Sequence, residues 1–322
     1  MTSDRITVFG PASLSNLGPG FDALGLCITG PGDHIEARVS DTSGVTIHSA
    51  SSIPTDPAKN TAGRAALDVL RRADATIGLE LTIHKGIPLG SGIGGSAASA
   101  VAAAWAANEV LGRPFTKRQL VGSVLEGEHA ASHHYHGDNV LPALFGGLVL
   151  VSPSDPTDFR PLVLADPPEI VIVLPRVEVL TRQARAVLPA TVLHGDASAQ
   201  AAELAFLLTA LRDGDWESVG RHLMRDRLAE PHRARLVPVY QTIRQAALDA
   251  GSWGCALTGS GPAMFALPGA SASAKEVLDA MLAASRTGGV DADGWVASVD
   301  VEGVRALESP HPAPLPQGEG TL

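Results

Sequence analysis

Cysteine is nearly absent from this chain. Two residues, Cys27 and Cys255, occur in 322, far apart and each in apolar surroundings. That excludes a disulfide framework and fits buried free thiols in a reducing compartment. Basic residues are also scarce: Lys plus Arg number 24 against 34 Asp plus Glu, a formal net charge of −10. A nucleic-acid partner needs clustered cations for its phosphates, so that class is excluded. No apolar run reaches the roughly 18 residues of a membrane-spanning helix. The N-terminal MTSDRITVFG has neither a basic start nor an apolar stretch to serve as a leader. A cytoplasmic protein without a membrane partner is expected.

What the chain has is ordinary core-forming material, 45% hydrophobic, over a length that suits two domains better than one. Short β-type runs stand at 6–9, 34–39 and 45–49, and 61–73 reads as a helix that Asn60 can cap. A strand is expected at 78–85, a Gly-rich loop at 86–95, and a helix of small residues at 96–111. A further helix starts at Thr116, and a strand ends near 152. The Pro- and Asp-rich stretch 153–168 reads as the domain connection. Beyond it come a buried-type strand at 169–175 and helices near 197–212, 215–223 and 235–250. Paired strands at 254–259 and 263–267 follow, then a helix at 275–285 and a strand at 294–301. The mixture lacks a regular βαβ rhythm, so the fold class is α+β in both halves. The expected domains are 1–155 and 165–308, with a disordered tail at 309–322 that has no apolar periodicity.

The strongest feature is the run Pro88-Leu-Gly-Ser-Gly-Ile-Gly-Gly-Ser-Ala-Ala-Ser99. It leads from a predicted strand into a predicted helix. Gly90, Gly92, Gly94 and Gly95 let the backbone come close to a ligand, and the helix start offers free N–H groups and its positive dipole end. That arrangement suits a phosphate. Ser91, Ser96 and Ser99 add hydroxyls. No Gly-Lys-Ser/Thr follows, so this is not a Walker A loop, and the third glycine and distant acid of a dinucleotide fingerprint are missing. A plain flexible turn before an Ala-rich helix is the competing reading of the run taken alone.

Its neighbours decide the matter. The run resembles the second motif of the GHMP kinases. Pro11-Ala-Ser-Leu-Ser-Asn-Leu-Gly-Pro-Gly-Phe-Asp22 resembles their first motif in the form found in homoserine kinases, and His136-Gly-Asp-Asn-Val-Leu-Pro-Ala-Leu-Phe-Gly-Gly147 resembles the H-A-D-N-x-x-P-A-x-x-G-G segment of that form. Thr258-Gly-Ser-Gly-Pro-Ala263 resembles the third GHMP motif. The motifs stand in order across roughly 5–305. The resemblance implies an N-terminal domain like domain 2 of a ribosomal small-subunit protein and a ferredoxin-like C-terminal domain. It implies ATP with Mg2+ between them, L-homoserine as the substrate, and a homodimer.

The residues fit that chemistry. Homoserine carries an ammonium, a carboxylate and a hydroxyl. Asp22 and Asp138 suit the ammonium. Arg185 and Arg233 suit the carboxylate, because guanidinium binds it bidentately. Asn16, His136 and Gly259 complete the expected substrate pocket. Pro88 with the loop glycines and serines is expected to hold ATP, with Asn60 and Lys85 at family positions near the nucleotide; Asn60 reads equally as a helix cap. By resemblance Glu128 and Ser96 hold Mg2+, and Glu126, some 200° further round a helix, is solvated. Arg182 and Arg235 read as surface charges. The cluster His129, His133, His134 and His136 lacks the partners of a zinc site. Asn139 stands where a general base is often found and cannot take a proton, so it is expected to position the hydroxyl. Gly95 replaces a serine of many relatives and is expected to loosen the loop. Two rival readings stay open: a GHMP kinase for mevalonate or a sugar, and a GHMP-fold binding protein without catalysis.

Overall fold

The computed structural model describes residues 5–132 and 135–307. His133, His134 and the tail expected at 309–322 lie outside the described residues. The chain opens with two long strands, β1 (Arg5–Ser15) and β2 (Leu24–Ser40), then β3 (Gly44–Ser49), α1 (Thr61–Arg72) and β4 (Gly78–His84). Next come α2 (Gly95–Val110), α3 (Lys117–Ser132) and α4 (Gly137–Phe145), followed by β5 (Leu148–Ser152) and β6 (Asp155–Leu162). The second half begins with β7 (Ile170–Pro175), α5 (Thr181–Ala186), α6 (His194–Asp213), α7 (Trp216–Leu223) and α8 (Glu230–Arg233). It continues through α9 (Tyr240–Asp249), β8 (Ser252–Leu257), β9 (Met264–Pro268), α10 (Ala274–Thr287), β10 (Ala292–Ala297) and β11 (Arg305–Leu307).

The first sheet runs β11-β1-β2-β4-β3, with β5 paired to β2 and β6 to β5. Its core gathers Ile35, Leu81 and Ile83 from the strands with Ala65, Val69, Val101, Leu120 and Val124 from the helices. Helix α2 lies in the middle. Nearly all its alanines are fully buried, as befits a helix covered on every side. Small residues allow a very close approach: a Cβ on Gly10 of β1 would stand 2.2 Å from the Ala98 carbonyl oxygen. The Gly-rich loop is therefore carried at the end of a helix locked against the sheet.

The second sheet is antiparallel in the order β10-β7-β9-β8. Counted in chain order within the sheet this is 4-1-3-2, the ferredoxin-like arrangement. Strand β7 is buried on both faces, and its side chains divide by alternation. Val171 and Val173 meet Ile243, Val277 and Met281 of α9 and α10. Ile170, Ile172 and Leu174 face the other way, into a cluster shared with Leu14, Leu24 and Ile28 of the first domain. That shared apolar layer joins the domains and sets the cleft between them.

Strands β6 and β11 and helix α4 depart from the sequence reading, as do the unexpected helix α5 and the helix expected near 235–250, which is broken before α9. The stretch 153–168 is not all connection: β6 occupies 155–162, with Phe159 buried, so the connection shrinks to 163–169. It is an edge strand, which is why Pro156 and Pro161 are tolerated in it. Strand β11 returns the chain to β1, so the first domain is completed from the far end of the sequence. Helix α4 carries Pro142 in its interior. Pro142 has no N–H for the Asp138 carbonyl, and a Cβ on Gly25 would lie 1.7 Å from that oxygen.

Candidate active site

A cleft of about 480 Å³ opens between the domains. Every residue expected from the sequence to bind nucleotide, metal or substrate lines it. At one end is the loop 86–95. Gly90, Gly92 and Gly94 take φ of +68°, +79° and +74°, where L side chains are strained. Space demands glycine as well: a Cβ on Gly92 would stand 2.6 Å from the Gly261 oxygen, and one on Gly94 2.2 Å from Ser13 Oγ. Gly94 caps α2 without any side-chain hydrogen bond. The first-turn N–H groups of α2 are thus left for a ligand. The loop is held from both domains. Its Ile93 side chain is fully buried and the Ile93 carbonyl accepts from the Ser13 N–H at 3.2 Å. The Ser91 carbonyl accepts from the Ala263 N–H at 3.2 Å, and the Gly92 carbonyl from Thr258 Oγ1 at 3.3 Å.

At the other end β1 stops in three consecutive left-handed residues, Asn16, Leu17 and Gly18. This turn aims Asn16 across the cleft. Its Oδ1 accepts from the Asp22 N–H at 3.1 Å and its Nδ2 donates to the Gly259 carbonyl at 3.0 Å. Arg233 is buried and donates to the Gly259 carbonyl at 2.7 Å and the Ala184 carbonyl at 3.2 Å. Arg185 donates to Asp22 Oδ1 at 2.8 Å and lies 3.3 Å from His136 Nδ1. Both guanidiniums lie over the Phe21 ring, 4.8 Å away for Arg233 and 5.7 Å for Arg185.

Carboxylates line the floor. Burial, with help from neighbouring Asp138, pushes Glu128 up to about 8, against a smaller downward pull from Ser96. Burial, then Asp22, pushes Asp138 up to about 7, while Arg185 and Arg233 pull it down. Such groups gain most from a cationic ligand, because it repays their desolvation. Ser96 Oγ is buried without a hydrogen-bond partner of acceptable geometry, although it lies close enough to Glu128 to favour the carboxylate. Glu126 turns away, 2.8 Å from Arg64 and 2.9 Å from Tyr135 Oη. Among the described residues no group of His, Cys, Asp and Glu forms a metal-binding cluster.

Four further candidates have their side chains engaged within the protein. Asn60 caps α1, accepting from the Ala62 and Gly63 N–H groups at 2.9 and 3.2 Å and donating to the Pro54 carbonyl at 2.7 Å. Asn139 accepts from Ser13 Oγ and donates to Ser15 Oγ, both at 3.0 Å, which fixes its amide and leaves one N–H for the cleft. Lys85 and Ser99 bond to Asp33, a fully buried residue that sequence reasoning missed. The Gly95 carbonyl accepts from Lys85 Nζ at 2.8 Å. Ser13 and Ser15 were missed too; their period-2 spacing on β1 was the available signal. Asp33 gave none, standing beside Gly32 as a turn residue would.

Two family models match the chain: "GHMP kinases N terminal domain" over residues 60–147 and "GHMP kinases C terminal" over residues 207–286. A homoserine kinase of Chloroherpeton thalassium is 37% identical over 94% of this chain and 99% of its own. That of Chlorobium phaeovibrioides is 39% identical over 93% and 98%. The crystal structure of homoserine kinase from Cytophaga hutchinsonii superposes with a TM-score of 0.91 at 37% identity, covering 95% of this chain and 98% of that one. Mevalonate kinase of L. major, at 18% identity and a TM-score of 0.69, shares the fold. The chain belongs to the GHMP kinases, in the family of the homoserine kinases that it matches along nearly its whole length.

Proposed function

We propose that this chain transfers the γ-phosphoryl group of ATP to the side-chain hydroxyl of L-homoserine, giving O-phospho-L-homoserine. The observation that carries this reading is the pairing, in one cleft, of an uncapped helix start behind a Gly-rich loop with two carboxylates and two arginines. The loop N–H groups suit the ATP phosphates. Asp22 and Asp138 suit an ammonium, and Arg185 and Arg233 a carboxylate, so the opposite end is complementary to an amino acid. Mevalonate and sugars have no ammonium, and for them the buried Asp138 beside the half-buried Asp22 is a cost without return.

Ser96 Oγ and Glu128 suit Mg2+, a hard cation that accepts one hydroxyl and one carboxylate beside phosphate oxygens and water. When bound, Mg2+ neutralises charge that develops on the phosphates. The protein's own contribution is placement. Asn16 and the arginines orient the substrate, and the remaining Asn139 N–H directs the hydroxyl oxygen toward the γ-phosphorus. The new O–P bond forms as the bond to ADP breaks. Asn139 takes no proton, so the hydroxyl proton passes to a phosphoryl oxygen. The product is a precursor of threonine, and the same reading makes the chain a cytoplasmic homodimer, which light scattering on the purified protein tests.

The experiment is coupled ADP release with Mg-ATP against L-homoserine, L-threonine, L-serine, mevalonate, galactose and shikimate. Release with L-homoserine alone is expected. Release with another alcohol overturns the substrate assignment. Binding of ATP with silence on every acceptor overturns catalysis.

A further inference from the structure

We infer that Asp33, on β2 and outside the cleft lining, is a positioning residue that presets the anion-binding loop, and that Lys85 is its brace rather than a phosphate ligand. This rests on the ATP reading above. Asp33 is fully buried. Its Oδ1 accepts from the N–H groups of Gly86 and Ile87, at 3.1 and 3.2 Å, where the loop leaves β4. Its Oδ2 accepts from Ser99 Oγ at 2.5 Å, in α2 just past the far end of the loop, and from Lys85 Nζ at the near end. One carboxylate therefore fastens the beginning of the loop and the first turn of α2 to the same point of the sheet.

Lys85 completes the clamp. An ammonium has three donors. Here they go to Asp33, to the Gly95 carbonyl at 2.8 Å and to Ser99 Oγ at 3.1 Å. The Lys85 side chain is only 7% exposed, and its charge is matched by Asp33. No donor is left to reach a phosphate oxygen. A loop with this much glycine is costly to order. A clamp at both ends removes most of that cost before ATP arrives.

The test measures Mg-ATP binding by titration calorimetry on the full chain, with KM for ATP and for L-homoserine, in wild type, D33N and D33N/K85M. In D33N the clamp is lost, and ATP affinity is expected to fall about 10- to 100-fold, the range seen when a partner that orients ligand-binding groups is removed. KM for ATP should rise while KM for L-homoserine stays unchanged, a split that general destabilisation does not produce. If Lys85 were a phosphate ligand, D33N would free it and remove a competing negative charge, so ATP would bind more tightly. That result overturns the proposal. The neutral pair D33N/K85M avoids leaving one buried charge without its partner and should melt near wild type while binding ATP as weakly as D33N. A double variant with wild-type melting and wild-type ATP affinity also overturns it. Failure of the wild-type chain to bind ATP removes the underlying reading instead and is visible in the first titration.

Discussion

Binding of the cationic groups should expel protons from the cleft. Glu128 stands near 8 and Asp138 near 7. At pH 7, then, about one in ten Glu128 side chains and about half of those of Asp138 are ionised, since each unit is a factor of ten. Full ionisation against Mg2+ and the ammonium releases roughly 0.9 proton from the first and 0.5 from the second, about 1.4 in all. The two titrate as a pair, so the total is the prediction and not its division. Calorimetric titration with Mg-ATP and L-homoserine at pH 7, in two buffers of different ionisation enthalpy, reads that number. Affinity should rise with pH through the window from 6 to 8. Stability of the ligand-free protein runs the other way. Folded-state values above the ordinary carboxylate range favour the folded state when both groups hold protons. That contribution is full below pH 4 and is lost as pH rises through about 7 and 8. A binding heat independent of buffer, with affinity flat in pH, refutes the reasoning.

Three other perturbations follow from the geometry. Arg233→Lys removes the fork that serves the Gly259 and Ala184 carbonyls together; KM for L-homoserine should rise about tenfold or more, with KM for ATP unchanged. Gly92→Ala places a Cβ 2.6 Å from the Gly261 oxygen at φ +79°, so a melting curve should show a loss of at least about 1–2 kcal/mol and calorimetry a marked loss of ATP affinity. Asn60→Ala removes the α1 cap and should cost about 1 kcal/mol while leaving KM for ATP within error; a large rise in that KM contradicts the cap assignment.

Local signals carried much of this molecule. Gly92 and Gly94 of the loop stand where positive φ and contacts below 3 Å leave no other residue type, and α1, α2 and α10 are legible from caps and small or periodic apolar faces. Other elements depend on partners that sequence does not display. Strand β6 buries only Phe159 and exists because β5 offers it an edge. Helix α4 contains a proline, and Gly25 packs against the carbonyl to which that proline cannot donate. The site shows the same division. Resemblance to the family's motifs put Asp22, Asp138, Arg185 and Arg233 in one pocket, but side-chain direction was hidden. Asn60 and Lys85 line the nucleotide end, while their side chains bond to a helix start and to Asp33. Only the fold brings Asp33 to Lys85, 52 residues away.

The central claim is the transfer itself. Incubation of the purified chain with Mg-ATP and L-homoserine, followed by phosphorus NMR and mass spectrometry, tests it most directly. The account predicts a new phosphomonoester signal with the mass of O-phospho-L-homoserine, formed in step with ADP and absent when L-homoserine is withheld. ADP formed with inorganic phosphate alone, or a phosphomonoester formed only with a different alcohol, contradicts it.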